Sequence, residues 1–127
     1  MENFIKELFR DVIANKYYDE TLINRYFSED YVQIVDNQDL DFAAFKKHIQ
    51  KLKEKVVSVE VVFFNIISNE KTVFTKHLVK STLVSGDIVK HKVFAEFQIT
   101  DGKVTQCDEL TLLIAGNKNE RNLGALV

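Results

Sequence analysis

The sequence contains no proline and no tryptophan, and it has a single cysteine among its 127 residues. Without a partner, Cys107 excludes an internal disulfide, and no cysteine–histidine spacing typical of a structural zinc site occurs. No apolar run is long enough to span a membrane, and the N-terminus has no signal-peptide pattern. We therefore expect a cytoplasmic protein with no metal, no cofactor and no membrane partner.

The chain also lacks an excess of basic residues. It has 17 lysines and arginines against 19 aspartates and glutamates, a formal net charge of -2. Nucleic-acid binders usually carry a basic patch or stripe, so we expect no nucleic-acid partner. Five lysines do cluster, and we interpret them as the solvated face of a helix: Lys46, Lys47, Lys51, Lys53 and Lys55.

What is present is ordinary globular composition, with 46% hydrophobic and 28% charged residues. The length fits one hydrophobic core, so residues 1–127 are predicted to form a single domain. The first helix carries one apolar stripe, formed by Phe4, Ile5, Leu8, Phe9, Val12, Ile13 and Tyr17. Asp19 is predicted to cap a second helix over 20–27, and Asp41 a third over 42–54.

Strand patterns fill the rest of the chain. A short strand is predicted over 31–35, followed by a polar loop over 36–39. From Val56 the apolar period becomes two, with long strands over 56–68, 72–84, 88–100 and 103–114. Short polar turns such as Asp101-Gly102 favour sequential antiparallel pairing. The predicted fold is α+β: a cone-like curved antiparallel sheet of four long strands plus one short strand, with three N-terminal helices covering its concave face.

Alternation along the strands predicts which side chains face the helices. The inward face combines polar groups with an apolar wall, a pattern typical of a small-molecule pocket. The predicted ligand-binding residues are Tyr17, Tyr31, Gln33, Val35, His91, Phe97 and Gln106.

His77 and Asp108 are the predicted catalytic residues. A carboxylate beside His77 would orient the imidazole and raise its basicity, so the pair could act as a general base. Alternatively, His77 is a hydrogen-bonded core residue and Asp108 binds backbone groups. Glu109 is predicted to point outward, and Cys107 to be a small buried side chain.

Several segments resemble the nuclear-transport-factor-2-like superfamily, in its SnoaL-like bacterial branch of uncharacterised function. The segments are the run YFSEDYVQ at 26–33, LDFAAF at 40–45, the DGKV hairpin at 101–104, DELT at 108–111 and ERNLG at 120–124. The resemblance implies a cone with a pocket between sheet and helices. Members include ketosteroid isomerases, polyketide cyclases, epoxide hydrolases, dehydratases and non-catalytic binders.

The resemblance is specific for fold rather than for activity. This chain has Val35 where an isomerase-like member would place its base, and Ala95 where such a member would place an oxyanion-hole acid. Many members dimerise through the outer face of the sheet. The side chains predicted to form an apolar patch on that face are Phe64, Ile66, Phe74, Leu78 and Phe94.

Three functions remain open at this point. The first is a binding domain for a small, largely apolar ligand in the cone. The second is an enzyme of cyclase, isomerase or hydratase type that uses His77 and Asp108. The third is a structural or partner-binding homodimer without pocket chemistry.

Overall fold

The computed structural model describes residues 1–116, and the resembling segment at 120–124 lies outside them. The helices are α1 (Glu2–Leu8), which continues directly into a π-helical turn (Phe9–Ile13), α2 (Glu20–Tyr26) and α3 (Phe42–Lys55). The strands are β1 (Phe27–Val35), β2 (Gln38–Leu40), β3 (Val56–Ser68), β4 (Thr72–Leu83), β5 (Ile88–Thr100) and β6 (Lys103–Ala115).

Local chemistry sets the helix boundaries close to the predicted ones. The Asp19 carboxylate accepts a hydrogen bond from the Leu22 N–H at 3.1 Å, and the Asp41 carboxylate accepts one from the Ala44 N–H at 2.8 Å. Both are N-caps that satisfy donors left free by the first helical turn. No helix within residues 1–116 has the length and apolarity to cross a bilayer.

The six strands form one curved, unclosed sheet in the order β2-β1-β6-β5-β4-β3. Strands β3 to β6 make the predicted antiparallel meander. The structure corrects three details. The sheet is mixed, because β1 runs parallel to β6, and β1 begins four residues before the predicted start. Residues 36–39 are not a simple loop, since Asp36 and Asn37 adopt positive φ angles and turn the chain into β2.

The core lies between the helices and the concave face of the sheet, as predicted. Ile5, Leu8 and Ile23 from the helices pack with Val73 and Val93 from the sheet, and all five are buried. These contacts fix the helices as a cover over the concave face. The predicted α+β cone is therefore confirmed.

Two β-bulges change which face the later side chains occupy. In β6, Ile99 pairs with Val104 whereas Gln98 pairs with Gln106, so one additional residue is inserted. In β3, the register also shifts between Phe63 and Asn65. Because the side-chain period of a strand is two, one inserted residue reverses the faces beyond it.

The bulges overturn three predictions of face, those for Asp108, Glu109 and Ile66. Asp108 is exposed on the outer face, opposite Glu96 of β5, while Cys107 and Glu109 turn inward. Ile66 packs against the core, and Ile67 is the residue exposed on the outer face.

Candidate functional site

A cavity lies between α3, the π-helical turn and the concave face of the sheet. The space that the centre of a water molecule can reach is about 140 Å³, far more than the roughly 10–15 Å³ needed to hold one water. Its lining is mainly apolar and includes Phe27, Ile49, Val79, Val93 and Phe97. An apolar concavity of this kind is the common form of a small-molecule site.

The cavity reaches the surface beside the end of the first helix and the start of β3. Ala14, Lys16, Val57 and Ser58 belong to the lining and are also exposed, so these four residues define its mouth. The far side of the cavity is formed by buried side chains of β1 and β6, among them Tyr31 and Cys107.

A π-helical turn shapes the wall next to the mouth. The Ala14 N–H donates to the Phe9 carbonyl at 2.7 Å, five residues back rather than four. The wider turn places the Phe9 ring against Phe63, His77 and Phe97, with ring centroids 5.0 to 5.8 Å away. Single π-helical turns of this kind occur frequently at functional sites.

Lys53 fastens α3 to the end of that turn. Its ammonium donates to the carbonyls of Ile13 at 2.8 Å and Asn15 at 2.5 Å. Burial lowers the pKa of Lys53 to about 8. The Lys53 ammonium is therefore a cation held in a fixed position beside the mouth. The sequence predicts that Lys53 belongs to a solvated face of the helix, and for this residue that prediction does not hold.

Polar groups converge on the far side of the cavity. The Tyr31 hydroxyl donates to the Gln33 side-chain oxygen at 2.9 Å, which leaves the amide N–H groups of Gln33 for another acceptor. The Cys107 thiol donates to Glu109 at 3.8 Å. Gln33 and Cys107 are paired across β1 and β6, and the next inward pair is Val35 and Glu109. The cluster of Tyr31, Gln33, Cys107 and Glu109 is therefore built from two parallel strands.

Glu109 is the acid of this cluster. Burial, followed by the charge of nearby Asp36, raises the pKa of Glu109 to about 7. Asp36 also holds the β6 backbone, because its N–H donates to the Glu109 carbonyl at 3.0 Å and its carboxylate accepts the Thr111 N–H at 2.8 Å. A carboxyl that titrates near neutrality can accept or donate a proton in the cavity.

His77 faces the cavity, as the strand alternation predicts, but it has a different partner. Its Nδ1 lies 2.9 Å from the Thr75 hydroxyl, and its ring packs between Phe9 and Phe63. Burial lowers the pKa of His77 to about 4, so the imidazole is neutral at physiological pH. The predicted His77–Asp108 pair is wrong, because Asp108 lies on the opposite face of the sheet.

The remaining predicted site residues divide into two groups. Tyr31, Gln33, His91 and Phe97 line the cavity. Tyr17 is 70% exposed and lines a shallow groove outside the mouth, Val35 is buried beneath the lining, and Gln106 lies beside the β6 bulge outside the lining.

Sequence reasoning missed several lining residues. Those with polar side chains are Asn15, Lys16, His48, Lys53, Ser58, Ser81, Glu109 and Thr111. His48 and Lys53 follow Phe45 and Ile49 on the inner side of α3, so helical periodicity could have found them. Glu109 could not be found this way, because the bulge that turns it inward has no clear sequence signal.

Comparison with other proteins gives a distant likeness in sequence. No family model matches the chain. An uncharacterised protein of Schizosaccharomyces pombe is 26% identical over 125 residues, which cover 98% of this chain and 95% of the yeast protein. The likeness extends over nearly the full length of both proteins.

Comparison with solved structures gives a clearer result for the fold. AclR from Streptomyces galilaeus superposes with a TM-score of 0.74 at 19% identity, over 99% of this chain and 85% of AclR. An NTF2-like protein from Anabaena variabilis gives 0.70 at 15% identity, over 88% and 85%. An LEH-like epoxide hydrolase from M. tuberculosis gives 0.65 at 16% identity, over 84% of each chain.

These likenesses agree with the element order, the meander and the cavity described above. At such low sequence identities they establish the architecture of the chain only. Its chemistry has to be inferred from the side chains of the site. The chain has the nuclear-transport-factor-2-like fold.

Proposed function

We propose that this protein binds a small, largely apolar molecule in the cone cavity. The observation that carries the proposal is the cavity itself, which joins an apolar wall to the polar cluster of Tyr31, Gln33, Cys107 and Glu109. An empty apolar cavity lowers the stability of the fold, because the side chains around it lose packing contacts. Binding of a ligand in the cavity can offset this loss of stability. The polar cluster would orient the polar end of a ligand.

A titration with 1-octanol, a neutral probe, tests this proposal. Amide shifts in a labelled sample should saturate and should map to the cavity lining. Val79→Phe places a ring in the cavity and should weaken binding at least about tenfold, since one aromatic side chain displaces at least about two buried methylenes worth ~0.8 kcal/mol each.

Leu78→Phe is the matched control, because Leu78 immediately precedes Val79 on β4 and lies on the outer face. It should leave the affinity for 1-octanol unchanged. Equal weakening by both variants, or shifts confined to the outer face, would overturn the proposal.

A second candidate function is acid–base catalysis in the same cavity, with Glu109 as the proton carrier. The specific observation is a carboxyl that faces an apolar cavity with its pKa raised to about 7. Such a group is close to the optimum for proton transfer at neutral pH. The M. tuberculosis neighbour is an epoxide hydrolase, so the fold can carry hydrolytic chemistry.

The Kemp elimination of 5-nitrobenzisoxazole tests this candidate without knowledge of the natural substrate. A carboxylate base takes the C3 proton while the N–O bond breaks, giving the cyanophenolate. The rate should rise with pH through about 7 and fall at least about tenfold in Glu109→Gln, because base catalysis contributes roughly 10²–10⁴-fold. Glu96→Gln, on the outer face, is the control; equal rates in both variants would exclude Glu109.

The outer face of the sheet supports a homodimer as the partner arrangement. Large apolar side chains on this face are about half exposed, including Phe64, Phe74, Phe94, Leu110 and Leu112. Lys76, Lys92, Glu96 and Asp108 share the same face. Since both charge signs surround an apolar centre, two copies related by a two-fold axis can pair opposite charges, which makes a second copy of this chain the proposed occupant.

A further inference from the structure

A shallow groove adjoins the mouth of the cavity. Its walls come from the segment after the π-helical turn and from residues 47–54 of α3. Lys16 and Lys53 line both the groove and the cavity, so the two spaces are continuous at these residues. A molecule that leaves the cavity through its mouth therefore enters the groove directly.

The groove is positive although the chain as a whole is acidic. Among residues 1–116, the groove is lined by Lys16, Lys47, Lys51 and Lys53 together with a single acid, Glu54, while the formal net charge of the protein is -2. Clustered charge of one sign raises the local concentration of counter-ions and holds them more strongly where the wall is of low dielectric. The groove is thus suited to an anionic group.

The interior of the cavity, in contrast, disfavours an anionic group. Glu109 lies on the far side, and Asp36 adds negative charge behind it. An anion there would face like charge in a region of low dielectric, which is strongly unfavourable. Charge on the ligand is therefore tolerated at the mouth and opposed in the interior.

From this arrangement we infer that the ligand is a single-chain amphiphile, with its apolar body in the cavity and an anionic head group in the lysine groove. The inference rests on the proposed binding function and names its ligand class. Lys16 and Lys47 hold the head group through charge, and Lys53, fixed by the Ile13 and Asn15 carbonyls, marks the boundary between the two spaces.

Matched probes of equal chain length test the inference by calorimetry at low salt. We expect octyl phosphate, below its critical micelle concentration, to bind about five- to tenfold more tightly than 1-octanol, because exposed ion pairs with lysines each add a modest attraction. Octyltrimethylammonium should bind more weakly than 1-octanol. Added salt should remove the advantage of the phosphate without changing the affinity for the alcohol.

The variant K16Q/K47Q should abolish the preference for octyl phosphate, so that its affinities for octyl phosphate and for 1-octanol become equal. K76Q/K92Q removes the same charge from the outer face and is the matched control. Equal affinities for phosphate and alcohol in the wild type would overturn the inference while the proposed function stands. Failure of both probes to bind would instead refute the proposed function.

Two further measurements distinguish the head group of an amphiphile from free phosphate and from an anionic membrane surface. Inorganic phosphate alone should bind much more weakly than octyl phosphate, because it lacks the apolar body. Vesicles with anionic lipid should not compete with octyl phosphate in proportion to their surface charge. Tight binding to such vesicles that Val79→Phe leaves unchanged would assign the lysines to a membrane surface and overturn the inference.

Discussion

At the scale of single residues, the site depends on Glu109 and on the groups that control its charge. Cys107 and Asp108 of β6 and Asp36 of the turn after β1 act on this carboxyl, and Gln33 lies one inward pair away. His48, Lys53, His77 and His91 line the same cavity from α3, β4 and β5. The burial that places Glu109 in the cavity also raises its pKa, so position and chemistry have one cause.

Glu109→Gln should make stability less dependent on pH. The pKa of Glu109 is raised from 4.5 to about 7 in the folded state, so its contribution to wild-type stability is intact below pH 4.5 and is lost as pH rises through 7. The variant should therefore unfold with a free energy higher than wild type by up to about 3 kcal/mol at pH 8 and nearly equal at pH 4. Urea unfolding at both pH values measures the difference. A constant difference across this range would contradict the prediction.

Asp36→Asn should lower the pKa of Glu109 toward its ordinary value. The change removes the charge of Asp36 but keeps a side-chain oxygen that can accept the Thr111 N–H, and asparagine tolerates the positive φ of 50° at this position. Carbon-detected NMR titration of the Glu109 carboxyl measures the shift. Asp39→Asn, in β2, is the control, and an unchanged Glu109 pKa in Asp36→Asn would show that burial alone sets it.

At the scale of elements, short local signals define where helices and turns lie, while bulges decide the faces of strands. The Asp19 and Asp41 caps and the Asp101-Gly102 turn were found from sequence because each satisfies its own backbone. The faces of Asp108, Glu109 and Ile66 were predicted incorrectly because each lies beyond a bulge. A bulge depends on how two strands meet, which neither strand encodes alone.

Lys53→Met should loosen the junction between α3 and the π-helical turn. The variant loses two charge-assisted hydrogen bonds to the carbonyls of Ile13 and Asn15, although it also removes a partly buried cation. We expect a loss of about 1–3 kcal/mol in unfolding free energy and faster amide exchange at residues 9–15. Lys47→Met, on the same helix but exposed, should change neither quantity. Unchanged exchange at residues 9–15 in Lys53→Met would contradict this role.

At the scale of the whole molecule, the curved sheet presents two surfaces with different consequences. The concave face holds the core and the cavity, and the outer face leaves large apolar side chains half exposed. Single exposed apolar residues are normal, but a contiguous group of phenylalanines and leucines is typical of an interface.

Phe94→Lys should weaken self-association. The substitution adds a cation between Lys76 and Lys92, whose ammonium groups each lie 5.9 Å from the Phe94 ring. Sedimentation equilibrium should give twice the 14.7 kDa chain mass for the wild type and a dissociation constant at least about tenfold higher for the variant. Tyr17→Lys, away from the outer face, is the control. A wild type that is monomeric at micromolar concentration would refute the dimer.

The sequence by itself determined the helices, the four-strand meander and the inward histidines, because periodicity and capping are local properties. It also determined that Gln33 and Tyr31 face the interior. Only the tertiary structure decided that Glu109 rather than Asp108 enters the cavity, that β1 lies parallel to β6, and that Lys53 fixes the mouth. Each of these depends on contacts between segments distant in the chain, and strand register and burial exist only once those segments pack together.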